Sequence, residues 1–592
     1  MPVNFKGRGI ACIQRKLANL MQGLGAGILL ALAVIACSEE EPAQKQEVST
    51  DQRIKEMIAT EELLQKLTPK LRSLGASMIS GSVEDLPGSV TGKAGVPPWK
   101  GLDPSHRWTS ASFGTLKASF EDNDFKMKTK FEGIRRGKDG TIVGVTAKQR
   151  LIWRKSDETE VGWKLVKWEP LEFETDESPQ PLFEEVLDRV IADPAALEKA
   201  RTSFQEEVLR KTFAGQTASV GRFNVTSSPD IESTVQYPTV SVMDFDSDGH
   251  EDFFLSARWV PPQLFRNLGN GTYEEVAARS GITVDGHVTC AVFADFDNDG
   301  DPDALLGRSF EPTVYYRNDA GRFTDVTATA TDLGNLLVVS SMAVADVNRD
   351  GLLDVYLSTY NTPIARVQDI NPGILSPAQL KKFVHYLRTD SAPFLNERGF
   401  PNVLLMNRGE GRLERAGGDV VELYRKSYQP LWFDADNDGD EDLYVCNDFG
   451  PDSYLRNDTP TGASDPVFVE AFAEVFPDGK MSYGMGASCG DFDNDGDLDL
   501  FVTNMYSKAG NRIVPAIGNS DPRIITSARG NFLYRNDGGI FRLISEEGAP
   551  ETKVGWAFGG QFADFNNDGW LDLYVPSGLY TAPREVATEV DL

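Results

Sequence analysis

Six times between Asp244 and Asp572 the chain repeats a nine-residue phrase that alternates oxygen-bearing side chains with a fixed Asp-Gly pair. The copies, here called loops I to VI, read DFDSDGHED, DFDNDGDPD, DVNRDGLLD, DADNDGDED, DFDNDGDLD and DFNNDGWLD. Oxygen ligands at positions 1, 3 and 5, followed by a Gly that permits a sharp turn, wrap a hard cation. A backbone carbonyl at position 7 and an Asp at position 9 complete such a cage. The candidate ligands are Asp244, Asp246, Asp248, His250 and Asp252 in loop I, and Asp295, Asp297, Asp299, Asp301 and Asp303 in loop II. Loop III offers Asp346, Asn348, Asp350, Leu352 and Asp354; loop IV offers Asp434, Asp436, Asp438, Asp440 and Asp442. Loop V offers Asp491, Asp493, Asp495, Asp497 and Asp499, and loop VI offers Asp564, Asn566, Asp568, Trp570 and Asp572. His250, Leu352 and Trp570 stand at position 7, where the backbone carbonyl would serve.

Asp-Gly and Asn-Gly also make ordinary hairpin turns, and a single copy is compatible with that simpler reading. Six copies that all keep a carboxylate at position 9 favour calcium, up to six ions with a structural role. Loops III and VI replace one carboxylate with Asn348 and Asn566, so weaker binding is expected there. An EF-hand loop would run on to a Glu at position 12 between helices. Here the flanks are apolar and strand-like, as in SVMDF before loop I and DFFLS within and after it.

A second phrase alternates with the first: LFRNLGNGTYEEV, VYYRNDAGRFTDV, VLLMNRGEGRLE, SYLRND and NFLYRNDGGIF. Each reads as a strand, an Asn-centred turn and a second strand, the pattern of a hairpin. One unit is therefore four strands, with the acidic loop joining the first two. Four-stranded units repeated radially make a β-propeller. The predicted fold is mainly β, a calcium-loop propeller with six repeats, seven blades remaining open, preceded by a small α+β domain. The two phrases in alternation resemble FG-GAP/VCBS repeats, the integrin alpha-type propeller family, and within it the cartilage-acidic-protein-like group. That resemblance spans about residues 215–580. It implies calcium-stabilised blades and a binding rather than catalytic role.

The last unit has its acidic loop but no second hairpin. Upstream, GRFNVT (221–226) reads like GRFTDVT (321–327), so this segment is expected to supply an outer strand of the last blade. Two enlarged connections, about 359–402 and 504–530, should emerge on the face opposite the acidic loops. Both are basic on balance, through Arg366, Lys381, Lys382 and Arg388 in the first and Lys508, Arg512 and Arg523 in the second. They could recruit an anionic glycan or an acidic protein, or be solvated insertions.

Lys6, Arg8, Arg15 and Lys16 precede an apolar run that ends at Cys37. The run is short for a membrane span and has the layout of a secretory signal. Val34-Ile35-Ala36-Cys37 resembles a bacterial lipobox, which implies a lipid-bearing Cys37 and an envelope lipoprotein, in an outer membrane where there are two. The expected organisation is a signal peptide at 1–37, a polar tether at 38–50, an α+β domain at 51–213 and the propeller at 214–592. Within 51–213, helical periodicity covers 51–75 and 180–213, and strand-like runs fill 108–173. Helix followed by antiparallel strands resembles nuclear-transport-factor-like cone folds. Trp108, Trp153, Trp163 and Trp168 either pack its core or line a pocket.

The rest of the composition excludes more than it suggests. Four His are scattered, and no nucleophile elbow, phosphate loop, HExxH or CxxC is present. A formal net charge of −30 disfavours nucleic acid. Besides Cys37, the region after the signal holds Cys290, Cys446 and Cys489, an odd number that points to free thiols. No catalytic residue is assigned. Three readings remain: a lipid-anchored propeller binding a protein or glycan, a lyase-like polysaccharide enzyme using His385, Tyr386 or Arg388, and an envelope scaffold.

Overall fold

The computed structural model describes residues 50–81, 102–202 and 239–578 apart from short interruptions, together with strands 218–220 and 223–225. Within 361–397 and 507–526 it describes only residues 378, 379, 381, 382, 385 and 523. The signal, the tether, Cys37, Arg366, Tyr386, Arg388, Lys508 and Arg512 lie outside the described residues. Mainly β, the chain forms two compact units that divide between Glu184 and Glu185.

In the first unit, helix α1 (Thr50–Ser80) lies on a four-stranded antiparallel meander of β1 (Arg107–Glu121), β2 (Asp124–Arg136), β3 (Ile142–Lys155) and β4 (Trp163–Ser178). The helix runs past the periodic stretch expected for 51–75. Leu63, Leu67, Leu71, Leu74 and Met78 recur at three- and four-residue spacing, and one stripe of α1 is thereby buried. Gly75 sits where a Cβ would meet the Ala111 carbonyl oxygen at 2.4 Å, so only Gly lets α1 approach β1 this closely. Along β2, Phe125, Met127, Thr129 and Phe131 alternate inward while Lys126, Lys128 and Lys130 alternate outward. Trp153 and Trp168 belong to this core, and Trp108 and Trp163 pack against it. The four tryptophans thus serve packing; the Trp168 indole donates to Gln149 at 3.1 Å.

The second unit begins with two short helices, α2 (Leu187–Val190) and α3 (Pro194–Arg201), capped by Asp193 at the Ala195 amide. The sequence boundary at 213/214 placed them in the first domain. Ile191 and Ala196 instead pack on Phe265 of the first repeat sheet, which is why they fold with the second unit. Five four-stranded antiparallel sheets follow in chain order, and a two-stranded sheet ends the series. The first sheet, repeat I, comprises Thr239–Met243, Asp252–Ala257, Val260–Asn267 and Tyr273–Glu275. The first strands of repeats II to VI are Val288–Ala294, Val339–Ala345, Lys426–Phe433, Gly486–Gly490 and Gln561–Ala563.

Each first strand lies beside the first strand of the next repeat. Four hydrophobic clusters are each shared by two consecutive sheets. Phe254 and Leu264 of repeat I meet Ala304 and Tyr316 of repeat II. Leu305 and Tyr315 of repeat II meet Leu357 and Leu405 of repeat III. The same pattern joins repeats III and IV through Tyr356 and Trp432, and repeats IV and V through Tyr444 and Tyr534. Because a sheet packed on both faces has no polar side, strands such as Asp303–Arg308 are buried throughout. Side chains of the first strands stitch the series together. Ser241 donates to the Ala291 carbonyl at 2.9 Å, and Thr289 donates to the Val339 carbonyl at 2.5 Å. Ser340 donates to the Ser427 carbonyl at 2.7 Å and Gln429 to the Ala487 carbonyl at 3.1 Å. Cys290 and Cys446 are buried free thiols and Cys489 is a half-buried one.

Candidate metal centres

All six acidic phrases join the first and second strands of their repeats, and position 9 is the first residue of the second strand each time. Their backbones close in one way. The position-1 carboxylate accepts the amides of positions 5 and 6: Asp244 from Asp248 and Gly249 at 3.0 and 2.8 Å, Asp564 from Asp568 and Gly569 at 3.0 and 2.8 Å. The position-5 carboxylate accepts the amide of position 7, as Asp299 does from Asp301 at 2.9 Å. Position 4 lies in the left-handed region every time, with Ser247, Asn298, Arg349, Asn437, Asn494 and Asn567 at φ between 55° and 61°. Asn adopts that conformation at modest cost, which accounts for four of the six residues there.

Position 9 bridges two strands rather than facing only the loop. Asp303 accepts the Phe296 amide at 3.3 Å on one oxygen and the Asn318 amide at 2.8 Å on the other. Asp354 and Asp442 repeat this with the Asn407 and Asn457 amides at 2.7 and 2.8 Å. The Tyr315 and Tyr454 hydroxyls also donate to the first of these oxygens in Asp303 and in Asp442, at 3.0 and 2.6 Å. It is the oxygen facing the third strand that keeps a second lone pair, with which these carboxylates can serve both as struts and as ligands. Asp252, Asp303, Asp354, Asp442 and Asp499 are buried. Burial pushes Asp252, Asp442 and Asp499 up to about 6, and Asp303 and Asp354 up to about 7. Asp572 of loop VI is exposed.

Position 3 leaves acceptors unpaired. One oxygen each of Asp246, Asp297 and Asp493 is buried without a hydrogen-bond partner. Burial, and then the neighbouring carboxylates, raise the pKa values of Asp297, Asp436 and Asp493. Carboxylate oxygens of positions 1, 3 and 5 converge within 4.8 Å in loops I, II and IV. In loop V the converging group is Asp491, Asp493 and Asp499. Buried, unpaired anionic oxygens this close together are costly unless a cation joins them, so the residues present fit one. Loops III and VI differ as their sequences imply. Asn348 donates to Asp350 at 2.9 Å, and Asn566 donates to Asp568 at 3.0 Å. An amide donor there satisfies one oxygen of the neighbouring carboxylate.

Loop I carries a guanidinium of its own. Arg266 donates from Nε to Asp246 and from an η-nitrogen to Asp248 at 2.7 Å. The corresponding Arg456 and Arg535, also one residue before the third-strand Asn, donate instead to Asp458 and Asp537, each at 2.9 Å. Leu268 occupies that acidic position in repeat I, so Arg266 turns to the loop. Sequence reasoning missed this, although the Leu in LFRNL against the Asp in YLRND was the visible cue. It also missed the third-strand Asn as a tie between repeats. Asn318 donates to the carbonyl of Phe245, position 2 of the preceding loop, at 2.8 Å. Asn407, Asn457 and Asn536 do the same to Phe296, Val347 and Ala435 at 2.7, 2.9 and 2.9 Å.

A model of FG-GAP-like repeats matches residues 244–306, 434–502 and 523–575. Those three stretches are therefore similar to FG-GAP-like repeats. The matched stretches contain loops I, II, IV, V and VI; loop III, outside them, has the same backbone geometry. No curated protein matches the chain. Among solved structures, a mutant apocarotenoid oxygenase of Synechocystis is 10% identical, covering 78% of this chain and 83% of its own, with a TM-score of 0.33. A putative exo-beta-1,3-galactanase from Bifidobacterium bifidum s17 is 10% identical, covering 61% and 91%, with a TM-score of 0.24. A Trypanosoma rangeli sialidase is 8% identical, covering 60% and 44%, with a TM-score of 0.20. Likenesses at this level carry no argument about the present chain.

Of the seven basic residues singled out on the enlarged connections, three are described. Lys381 and Arg523 are exposed, and the Lys382 ammonium lies 4.9 Å from the centroid of the Tyr424 ring. His385 is also exposed. No described helix is long and apolar enough to cross a membrane.

Proposed function

We propose that the FG-GAP-like repeats close into a β-propeller stabilised by up to six Ca²⁺, held on a cell-envelope membrane by acyl chains on Cys37. The propeller would present a non-catalytic binding surface to a protein or an anionic glycan. The observation that carries the metal reading is the buried, unpartnered oxygen on each of Asp246, Asp297 and Asp493. Each stands in a loop that offers further carboxylates and a position-7 carbonyl, the all-oxygen set that a hard cation takes. Bound calcium would supply charge neutralisation and rigidity and no chemistry beyond that. Extracellular modules of this kind bind with dissociation constants of about 10⁻⁴ to 10⁻³ M. Each occupied site then adds about 1.4 kcal/mol of stability per tenfold excess of ion.

The radial arrangement is supported by sheets that pack face to face in chain order with their first strands adjacent. Repeat VI has two described strands, Gln561–Ala563 and Asp572–Tyr574, and Leu573 and Tyr574 on the second are exposed. The hairpin of Ala218–Val220 and Phe223–Val225 is the segment we assign to complete that sheet and shut the ring.

Metal analysis of the purified full chain, with melting measured in calcium and in EGTA, tests the central claim. Bound calcium and a lower melting temperature in EGTA are expected; no bound metal with an unchanged melting temperature would refute it. Metabolic labelling with palmitate, lost in Cys37→Ala, tests the anchor. Crosslinking on intact cells tests for a partner, with retention on an acidic polysaccharide distinguishing a glycan from a protein.

A further inference from the structure

The acidic loops touch one another in a fixed order. Position 4 of each of loops I to V reaches position 6 or 7 of the next. Ser247 of loop I donates to Asp301 of loop II at 3.2 Å. Asn298 of loop II donates to the Gly351 carbonyl of loop III at 3.2 Å. Arg349 of loop III pairs with Asp440 of loop IV at 3.2 Å. Asn437 of loop IV donates to Asp497 of loop V at 2.8 Å. Asn494 of loop V donates to the Gly569 carbonyl of loop VI at 3.4 Å.

The chemistry of the five contacts differs: a hydroxyl, three amides and a guanidinium reach carboxylates or carbonyls. Their placement does not. Position 4 is not itself a ligand, and its left-handed φ aims its side chain away from its own cage and at the neighbour. The residue it reaches is position 7, whose carbonyl is one of the cage oxygens, or the Gly immediately before it.

We infer that the cation sites are coupled to their nearest neighbours through these position-4 contacts, so that filling one loop favours filling the next. This rests on the metal reading above. Ordering one loop fixes its position 4, and that side chain then holds position 7 of the following loop where its carbonyl can face an ion. A loop without its ion leaves the neighbour's carbonyl to be ordered at that neighbour's own cost. One hydrogen bond is worth about 0.5–1.5 kcal/mol, so each link should change affinity roughly two- to tenfold.

The link between loops IV and V is the one to test, because both loops keep all four side-chain carboxylates. Asn437→Gly removes the contact, and Gly is at ease at this φ. Asp493→Asn with Asp495→Asn disables loop V. Overall calcium affinity of the full chain, measured by calorimetry and by native mass spectrometry, completes a double-mutant cycle. Asn437→Gly is expected to lower affinity roughly two- to tenfold when loop V is intact, and to have no effect once loop V is disabled. An equal loss in both backgrounds, or none in either, overturns the coupling. If wild type takes up no calcium, the metal reading fails and the coupling with it, a result distinct from either. Should Asn437→Gly fail to fold, Asn298→Gly with loop III disabled by Asp350→Asn gives the same cycle two links earlier.

Discussion

Asn318 and Phe245, 73 positions apart, are joined by a 2.8 Å hydrogen bond from the Asn amide to the Phe carbonyl, and that bond is one link in a continuous belt. The Phe245 amide donates to Asp252 at 3.1 Å, while the Asn318 amide of the main chain donates to Asp303 at 2.8 Å. Asp303 in turn accepts Phe296, whose carbonyl accepts Asn407, whose main-chain amide reaches Asp354. The belt continues through Val347, Asn457, Asp442, Ala435, Asn536 and Asp499 to the Phe492 amide. Position-9 aspartates and third-strand asparagines thus form one structure that runs beneath the loops.

Replacing Asn318 with Ala removes its bonds to Phe245 and to the Pro302 carbonyl, and leaves both oxygens short of a donor. Each orphaned buried carbonyl costs roughly 1–3 kcal/mol. Asn318→Ala should therefore lower unfolding free energy by a few kcal/mol in urea titrations, with calcium held at saturation. Asn267 in repeat I donates to the Glu251 carbonyl of its own loop and, among the described residues, ties no other loop. Asn267→Ala should cost less, and equal losses in the two variants would contradict the role of the belt.

What was legible in the sequence is the local grammar. Asp-Gly at a fixed place, apolar flanks and an Asn-centred turn identified the strands, their antiparallel pairing and the loop between the first and second strands. Those depend on residues close in sequence, and the register pairs Met243 with Asp252 and Asn318 with Phe323 as hairpins require. The double duty of position 9 was not legible. Its second partner is an amide on the third strand, 15 residues away in Asn318 but 53 in Asn407 because of the intervening connection. The position-4 contacts were hidden for another reason. Ser, Asn and Arg at one place read as variation, and only the shared left-handed backbone reveals a common direction. The place of α2 and α3 was likewise misread, since helical periodicity says nothing about which sheet the apolar face will meet.

Arg266 is expected to compete with a cation for loop I. Its guanidinium already neutralises Asp246 and Asp248, so Arg266→Gln should raise calcium affinity at that loop while lowering the melting temperature of the metal-free protein. A charge at this range in a partly exposed site is worth about 1 kcal/mol or more, so a several-fold change is expected. Asp246→Asn in the same variant should abolish the gain, which locates it. Arg535→Gln, whose partner is Asp537, is the control and should leave calcium binding near wild type. A weaker loop I in Arg266→Gln would show that the guanidinium positions the carboxylates rather than replacing the ion.

Asp448 and Asp452, away from the acidic loops, set a pH dependence that can be separated from metal binding. Both are buried, and burial pushes both up to about 6 despite donors that include Tyr360 on Asp448, and Tyr444 and Ser482 on Asp452. The folded pKa therefore lies above the unfolded value of about 3.9. Such groups stabilise the fold fully below the unfolded value, and that contribution is lost as pH rises through about 6. Asp452→Asn should remove its share. A constant penalty is expected, because the amide cannot accept both the Tyr444 hydroxyl and the Asn447 amide, but the fall in stability between about pH 4 and pH 7 should be shallower than in wild type. Parallel pH profiles for the two proteins would show that Asp452 does not titrate in this range.

Repeat VI is where the proposed ring would be finished, and its exposure pattern suggests how. Asp572 is exposed, whereas Asp252, Asp303, Asp354, Asp442 and Asp499 are buried beneath third and fourth strands. At the other end of the series, Val240 and Val242 project from the first strand of repeat I at 63% and 65% exposure. Two β-branched residues left in water on one face of a strand are unfavourable, as is the open edge of the strand Asp572–Tyr574. Both defects vanish together if repeat VI, completed by the 218–225 hairpin, packs against repeat I. Deleting residues 216–226 from the full chain should lower the melting temperature and promote association through the uncovered edge, read by light scattering as a function of concentration. A monomeric deletion variant with the wild-type melting temperature would mean that the hairpin is not the closing element.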